Sequence, residues 1–520
     1  MKKFLRGHQG MFKPLRIAIL VALVVIVSVG IYACSPQQPA NGSIPEPTYW
    51  PTTGWQSSTP EAQGFDSAKL AEGLAAIPQN EIGIHSLQIV RGGYLIIDAY
   101  VYPYDGSIYH DFASVTKSVM TTLIGIAADQ GKIDLDKPVL SYFPNRTIAN
   151  RDDRKEHITV RHLLSMSSGL EWDPVDDEVF LRQLRASPDW VQFALDLPVV
   201  SEPGSEFVYN SAGSHLLSAI LTQTTGMSAL EFAKANLFEP LGITNVHWRI
   251  DPQGYNMGWG DLSMFPLDAA KLGFLFLHQG QWQGQQIVSS DWVAKATSFQ
   301  ISTEGYHNEE YGYGWWVSPQ EEEITFFRAD GRNGQRIWVL PSMDLVIVTT
   351  GYSDSALEDI TPGLQAAIGN LEAPLPANPD GVAELQMITQ QLKQPPEANP
   401  TPLPEIASRI SGKTFIFEPN PTQLETICLD FDSPAAFACS IKFNGEPEAR
   451  TGDVGLDGNY RTSRGGIPWI ARASWLDDQS LFVEFSEGPG LNNYVDQMRF
   501  EDDRMILEVV GFTTIEGKLE

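Results

Sequence analysis

Cysteine, clustered histidine and positive charge are all scarce in this chain of 520 residues. Cysteine occurs only at Cys34, Cys428 and Cys439. The nine histidines never fall at zincin spacing, the acidic residues follow no calcium-loop pattern, and Gly334 belongs to no phosphate-binding loop. No metal or organic cofactor is therefore implied. No Gly-x-Ser-x-Gly elbow occurs, which argues against an α/β-hydrolase. With 35 Lys and Arg against 64 Asp and Glu, the formal charge of −29 repels polyanions and makes nucleic acid an unsuitable partner. Internal repeats are not apparent.

What is present begins with one long apolar run. Lys2, Lys3, Arg6, Lys13 and Arg16 precede Ile17 to Ala33, the pattern of an export signal or short membrane anchor, read as residues 1–34. Ile31-Tyr32-Ala33-Cys34 resembles a bacterial lipoprotein cleavage box, with Cys34 as the lipidation site and Tyr32 as a departure. An uncleaved single span is the alternative. Either route implies a bacterial cell envelope protein, membrane-tethered through its N-terminus, with the catalytic part outside the cytoplasm. Residues 35–60, rich in Pro, Gly, Ser and Thr, read as a flexible tether.

The chain is long enough for at least two domains, and its 42% hydrophobic content is that of a globular protein. Its centre is DFASVTKSVMTTLIGIAADQGKIDLDKPVLSYF, residues 111–143, where an apolar helical stripe ends at Gly131. Ser114 stands at the start of that helix and Lys117 three residues on, so both side chains share one face. Free backbone N–H groups at a helix start favour the negative charge of an attacked carbonyl, and a buried ammonium beside the serine can lose its proton and serve as base. Taken alone, Ser-x-x-Lys also fits a capping serine followed by a surface lysine. The lysine's place on a stripe bound for a core weighs against that reading.

Two further segments follow in order: Tyr209-Asn210-Ser211 within FVYNSAG, and Arg332-Asn333-Gly334 within DGRNGQ. With Ser114-Val115-Thr116-Lys117 and the ITVRHLLSMSSGL run at 158–170, they carry a resemblance to the serine beta-lactamase and penicillin-binding-protein-like superfamily over residues 55 to 370. The branch most similar is that of lactamase-like esterases, amidases and 6-aminohexanoate-dimer hydrolases. The resemblance implies an α/β (α+β) fold, an antiparallel sheet flanked by helices with an all-helical half, as a serine hydrolase domain over 61–373. It implies Ser114, Lys117 and Tyr209 as catalytic residues, and the backbone N–H groups of Ser114 and Gln335 as the oxyanion hole. Asn210, Ser211, Arg332, Asn333, Gly334, Trp172 and Trp259 become substrate-binding candidates, Trp172 and Trp259 as cleft walls whose alternative is packing. Ser211 departs from the usual Asn and Arg332 from the usual Lys or His. The expected reaction is hydrolysis of a small ester, amide or peptide-like substrate through an acyl-enzyme. A beta-lactamase or D-alanyl-D-alanine carboxypeptidase, and a catalytically silent cell-wall or ligand-binding protein, are the alternatives.

Residues 176–198 read as an insertion at the cleft entrance. His110, with no carboxylate placed to orient it, reads as structural or at the rim. Residues 374–405 read as a Pro-rich linker holding at most one short polar helix. From 406 to 520 strand alternation dominates, giving a small antiparallel β domain, barrel-like, with an envelope partner as one role. If Cys34 is lipidated, Cys428 and Cys439 form a candidate disulfide, with free thiols as the alternative.

Overall fold

The computed structural model describes residues 47–173, 177–303, 309–319, 324–463, 468–487 and 494–520. The basic and apolar N-terminal segment, Cys34 included, lies outside them. Among the described residues no helix is long and apolar enough to cross a membrane.

The first sheet has eight strands and is antiparallel throughout. Tyr94–Tyr100 is one edge, and the next strand, Ile84–Arg91, pairs with it on one side and with Leu345–Gly351 on the other. Gln335–Leu340 and Phe327–Gly331 follow outward. Successive residues point to opposite faces of a strand, and both faces here are covered. Leu345 and Ile347 enter a core with Leu70, Leu74 and Ile360, whereas Val346 and Val348 enter a second core with Val115, Val119 and Leu123. The expected hairpin around Gly92-Gly93 and the paired strands on either side of Pro341 are both present.

The helix that follows Ser114, Val115–Asp129, runs through the middle of the second core. The apolar stripe implies a buried helix, and every residue from Val115 to Ala127 is buried. Its polar side chains are satisfied locally: Ser118 Oγ donates to Gly314 O at 2.5 Å and Thr121 Oγ1 to Tyr313 O at 2.9 Å. Hydroxyls with carbonyl partners let a helix be buried on all sides without orphaned groups. The all-helical half supplies Ser211–Thr225, Trp190–Asp196, Ala229–Ala233 and Pro266–Leu277 around it.

The stretch read as a linker needs correction. Pro379–Leu392 is a helix of 14 residues, and its Leu385 and Leu392 join the core formed by Ser67–Gln79 and the sheet. Burial of those leucines outweighs the polar composition of its other faces.

From Lys413 the chain forms a second sheet in which neighbours in sequence pair and the first strand, Lys413–Phe417, pairs with the last, Thr513–Leu519. A parallel contact between Gly455 and Arg472 completes the ring, so nine strands close into a barrel, with the short Arg461–Thr462 attached outside it. Closure removes the exposed edges an open sheet would present. The helix Glu405–Ile410 contributes Ile406, Ala407 and Ile410 to the barrel core. The barrel meets the first sheet through Ile470 against Tyr100 and Tyr104, and through Tyr460 N donating to Tyr102 Oη at 2.5 Å.

Of the two alternatives for Cys428 and Cys439, a disulfide or free thiols, the structure has free thiols. Cys428 lies opposite Ser440, and Cys439 opposite Leu429, so the two thiols sit one register step apart. One step turns a side chain to the other face of the sheet, and only Cys439 enters the core. Burial pushes its thiol up to about 12, so it stays protonated.

Candidate active site

Ser114 is the N-cap of the helix Val115–Asp129. The residue before it, Ala113, has φ +47°, a left-handed conformation that costs energy for any residue with a Cβ. The turn is held by Ala113 N donating to Asp111 Oδ1 at 2.8 Å and by Thr116 Oγ1 donating to Ala113 O at 2.6 Å. Strain restrained in this way fixes where the serine points. Burial, with Asp261 nearby, pushes the Asp111 carboxyl up to about 8.

Lys117 is 1% exposed, and its Nζ lies 2.9 Å from Ser114 Oγ and 3.2 Å from the carbonyl oxygen of Trp259. The same Nζ stands 4.6 Å from the centroid of the Tyr209 ring. Desolvation brings the ammonium down to about 7; Asp177 opposes that change and Arg332 adds to it. Near neutral pH a substantial share of Lys117 is therefore the free amine, one turn from a serine hydroxyl.

Tyr209 lies before the helix Ser211–Thr225, packed face to face on Trp316 with 5.9 Å between centroids. Burial, with Tyr311 nearby, holds the Tyr209 phenol well above its ordinary range, and Ser114 opposes that shift. The tyrosine is thus a neutral donor and acceptor, not a phenolate. Ser114, Lys117 and Tyr209, drawn from two segments almost a hundred residues apart, meet at one point.

The third segment reaches the site through Gly331, where an added Cβ would lie 2.5 Å from Phe112 O and 3.0 Å from the Ala113 Cβ. That approach sets the Arg332-Asn333-Gly334 turn beside the segment that leads into Ser114, with Gln335 opening the next strand. The Gln335 amide locks the turn, donating to Arg332 O and Asn333 O at 3.1 Å each and to Gly351 O at 2.8 Å. Gly334 has φ +84°, and a Cβ there would meet Ser353 O at 2.5 Å, so only glycine fits. Asn333 N donates to Asp354 Oδ1 at 2.5 Å.

The other candidates are placed less directly. Asn210 caps the following helix, its Oδ1 accepting from Gly213 N at 2.9 Å, and Ser211 is buried as the first residue of that helix. Arg332 is half-exposed and faces Glu178 at 3.9 Å; Asp330, its expected ion-pair alternative, instead pairs with Arg328 and Arg336. Trp172 is buried against Phe180 and its Nε1 donates to Asp177 Oδ1 at 2.7 Å. Of the two alternatives for the Trp259 ring, cleft wall or packing, the structure has packing: the residue is 4% exposed and its ring lies on Trp190 and His215. Its backbone carbonyl is the part that meets Lys117. His110 is buried and shares a 3.0 Å hydrogen bond with His85.

Asp177 and Glu178 open the helix Asp177–Ala186 of the insertion, and no sequence motif marks them. They come to the site because Leu181 and Leu184 anchor that helix in the core. Among the described residues no group of His, Cys, Asp and Glu is placed to hold a metal ion.

A family model described as Beta-lactamase matches residues 75–358, more than half of this chain of 520 residues. The chain belongs to the beta-lactamase family and is a serine hydrolase of that type. It is 25% identical over 282 residues to the 6-aminohexanoate-dimer hydrolase of Paenarthrobacter ureafaciens, covering 50% of this chain and 70% of that one. It is 29% identical over 161 residues to the monacolin J acid methylbutanoyltransferase of Aspergillus terreus, covering 26% of this chain and only 37% of the transferase. Among solved structures, a Bacillus anthracis protein provisionally assigned as a 6-aminohexanoate-dimer hydrolase shares the fold with a TM-score of 0.52 at 20% identity, over 62% of this chain and 89% of its own.

Proposed function

We propose that this chain hydrolyses the ester or amide bond of a small substrate through an acyl-enzyme on Ser114, with Lys117 as base and Tyr209 as neutral proton relay. The observation that carries the reading is the 2.9 Å contact between Ser114 Oγ and a buried amine brought down to about 7. In the first step the free amine of Lys117 takes the Ser114 proton as Oγ bonds to the carbonyl carbon. The electron pair released onto the carbonyl oxygen is received by the backbone N–H groups of Ser114 and Gln335. Collapse breaks the C–O or C–N bond, and the leaving group departs with a proton passed from Lys117 through the Tyr209 hydroxyl. Water then attacks the acyl carbon, gives its proton back through the same pair, and releases the acid and Ser114.

The names of the relatives support an amide or ester as the scissile bond without choosing between them. A panel of p-nitrophenyl esters and short linear amides, run with Ser114→Ala as control, tests the reading. Product release by the parent chain that vanishes in the variant supports it. Release that persists in a folded Ser114→Ala protein overturns it. Covalent capture of penicillin at Ser114 would instead favour the beta-lactamase or carboxypeptidase alternative. We also propose an exported, membrane-tethered enzyme, from the basic and apolar N-terminal segment and Cys34. Membrane fractionation with intact mass tests that, a soluble cytoplasmic product retaining Met1 being the contrary result.

A further inference from the structure

The helix Ser211–Thr225 carries a buried histidine that the reaction above does not use. His215 Nε2 donates to Asp251 Oδ2 at 3.0 Å, and neither side chain is exposed at all. A histidine and an aspartate so paired invite comparison with a Ser-His-Asp triad, but the side chain that meets Ser114 Oγ is Lys117. The rings packed on His215 are Trp190, Tyr255 and Trp259, with Asp251 as its charged partner.

The pair acts on the segment from 251 to 259. Asp251 Oδ1 accepts from Gln253 N at 2.8 Å and Tyr255 N at 2.9 Å, which closes a turn. One helical turn beyond His215, Ser218 Oγ donates to Asn256 O at 2.7 Å. A Cβ on Gly258 would lie 2.1 Å from Ser214 O, so backbone touches helix there. Three consecutive features of one helix face thus hold this segment, and the residue it presents next is Trp259, with its ring on His215 and its carbonyl oxygen 3.2 Å from Lys117 Nζ.

We propose that His215 and Asp251 are positioning residues for Lys117, acting through the backbone carbonyl and ring of Trp259. The pair sets the depth and direction of the lysine without touching substrate. This inference rests on the serine hydrolase reading above. The groups facing Lys117 are Ser114, Tyr209, Asp177 and Arg332, and none of the four is among the partners given for His215.

The test uses the full chain and a p-nitrophenyl ester, with kcat, KM and the pH profile measured for His215→Phe, His215→Gln and Ser218→Ala. Phenylalanine keeps a ring but no donor, and glutamine restores an N–H near the Nε2 position. His215→Phe is expected to lower kcat on the order of tenfold, as displaced catalytic groups do, with KM little changed. The acid limb moves to higher pH because a displaced Trp259 readmits water to Lys117, and desolvation is the main cause of its low value. His215→Gln recovers most of kcat, and Ser218→Ala reproduces the shift on a smaller scale should His215→Phe fold poorly. A limb that stays in place in both His215→Phe and Ser218→Ala, with activity falling only in proportion to folded protein, overturns this proposal alone. A parent chain with no Ser114-dependent turnover overturns it together with the functional reading.

Discussion

The hydrolase domain and the C-terminal barrel bury different things. Among the described residues every buried lysine and arginine, Lys117, Lys155, Lys271, Arg328 and Arg336, lies in the first, and none lies in the barrel. The barrel core is made of residues such as Phe415, Leu429, Phe500 and Met505. Burying a cation is costly unless it is partnered, so its presence needs a reason. Lys155 is satisfied by the carbonyls of Ala149 and Leu195, and Lys271 pairs with Asp268. Lys117 differs in meeting a serine hydroxyl. Burial of charge thus locates a site only after its partners are read.

Several substitutions would break or sharpen this contrast. Ser114→Ala should reduce ester turnover by about a thousandfold or more while the chain stays folded, since a lost nucleophile leaves only binding and oxyanion stabilisation. Tyr209→Phe, read by kcat at fixed pH, should cost roughly a hundredfold, the lower end of what a positioned proton relay contributes. In the barrel, Phe415→Ala should lower stability by about 3–5 kcal/mol in a denaturant titration of the barrel transition. The contrast predicts that Ser114-dependent kcat per folded molecule is unchanged by it; a matching fall in kcat would show that the barrel takes part in the cleft.

Smaller effects follow from the charges around Lys117. The acid limb of kcat/KM should rise through about 7, because the base works only when deprotonated and activity is lost as pH falls below that value. Arg332 pushes Lys117 downward, so Arg332→Gln should move the limb to higher pH. Asp177 pushes upward, so Asp177→Asn should move it to lower pH. Opposite directions from two neighbours of one lysine are a stricter test than the size of either. Smallest of all, a reductant should leave the melting temperature where it is, because Cys428 and Cys439 are not joined.

Much of this site was legible because its chemistry is local in sequence. Ser114 and Lys117 share one helical turn, and the second and third segments have their own turn residues, such as Gly334 with its positive φ. The helix Pro379–Leu392 was legible in principle: Leu385, Ile388 and Leu392 recur at helical spacing, hidden by prolines on either side. Other features are products of packing over long separations. Asp177 reaches Lys117 only because Leu181 and Leu184 dock the insertion helix, and the left-handed Ala113 follows from the confined turn between a short strand and the nucleophile helix. Trp259 shows the limit most plainly. Its aromatic ring suggested a cleft wall, whereas its backbone carbonyl meets the lysine, and no side-chain identity announces that.

The central claim is a covalent acyl-enzyme on Ser114 formed with Lys117 as base, and time-resolved intact mass after mixing with an activated ester tests it most directly. The account predicts one acyl adduct on the parent chain, mapped to the peptide holding Ser114, accumulating faster as pH rises through about 7, and none on Ser114→Ala. An adduct of the same mass on Ser114→Ala, or one mapped to another residue of the parent chain, would contradict it.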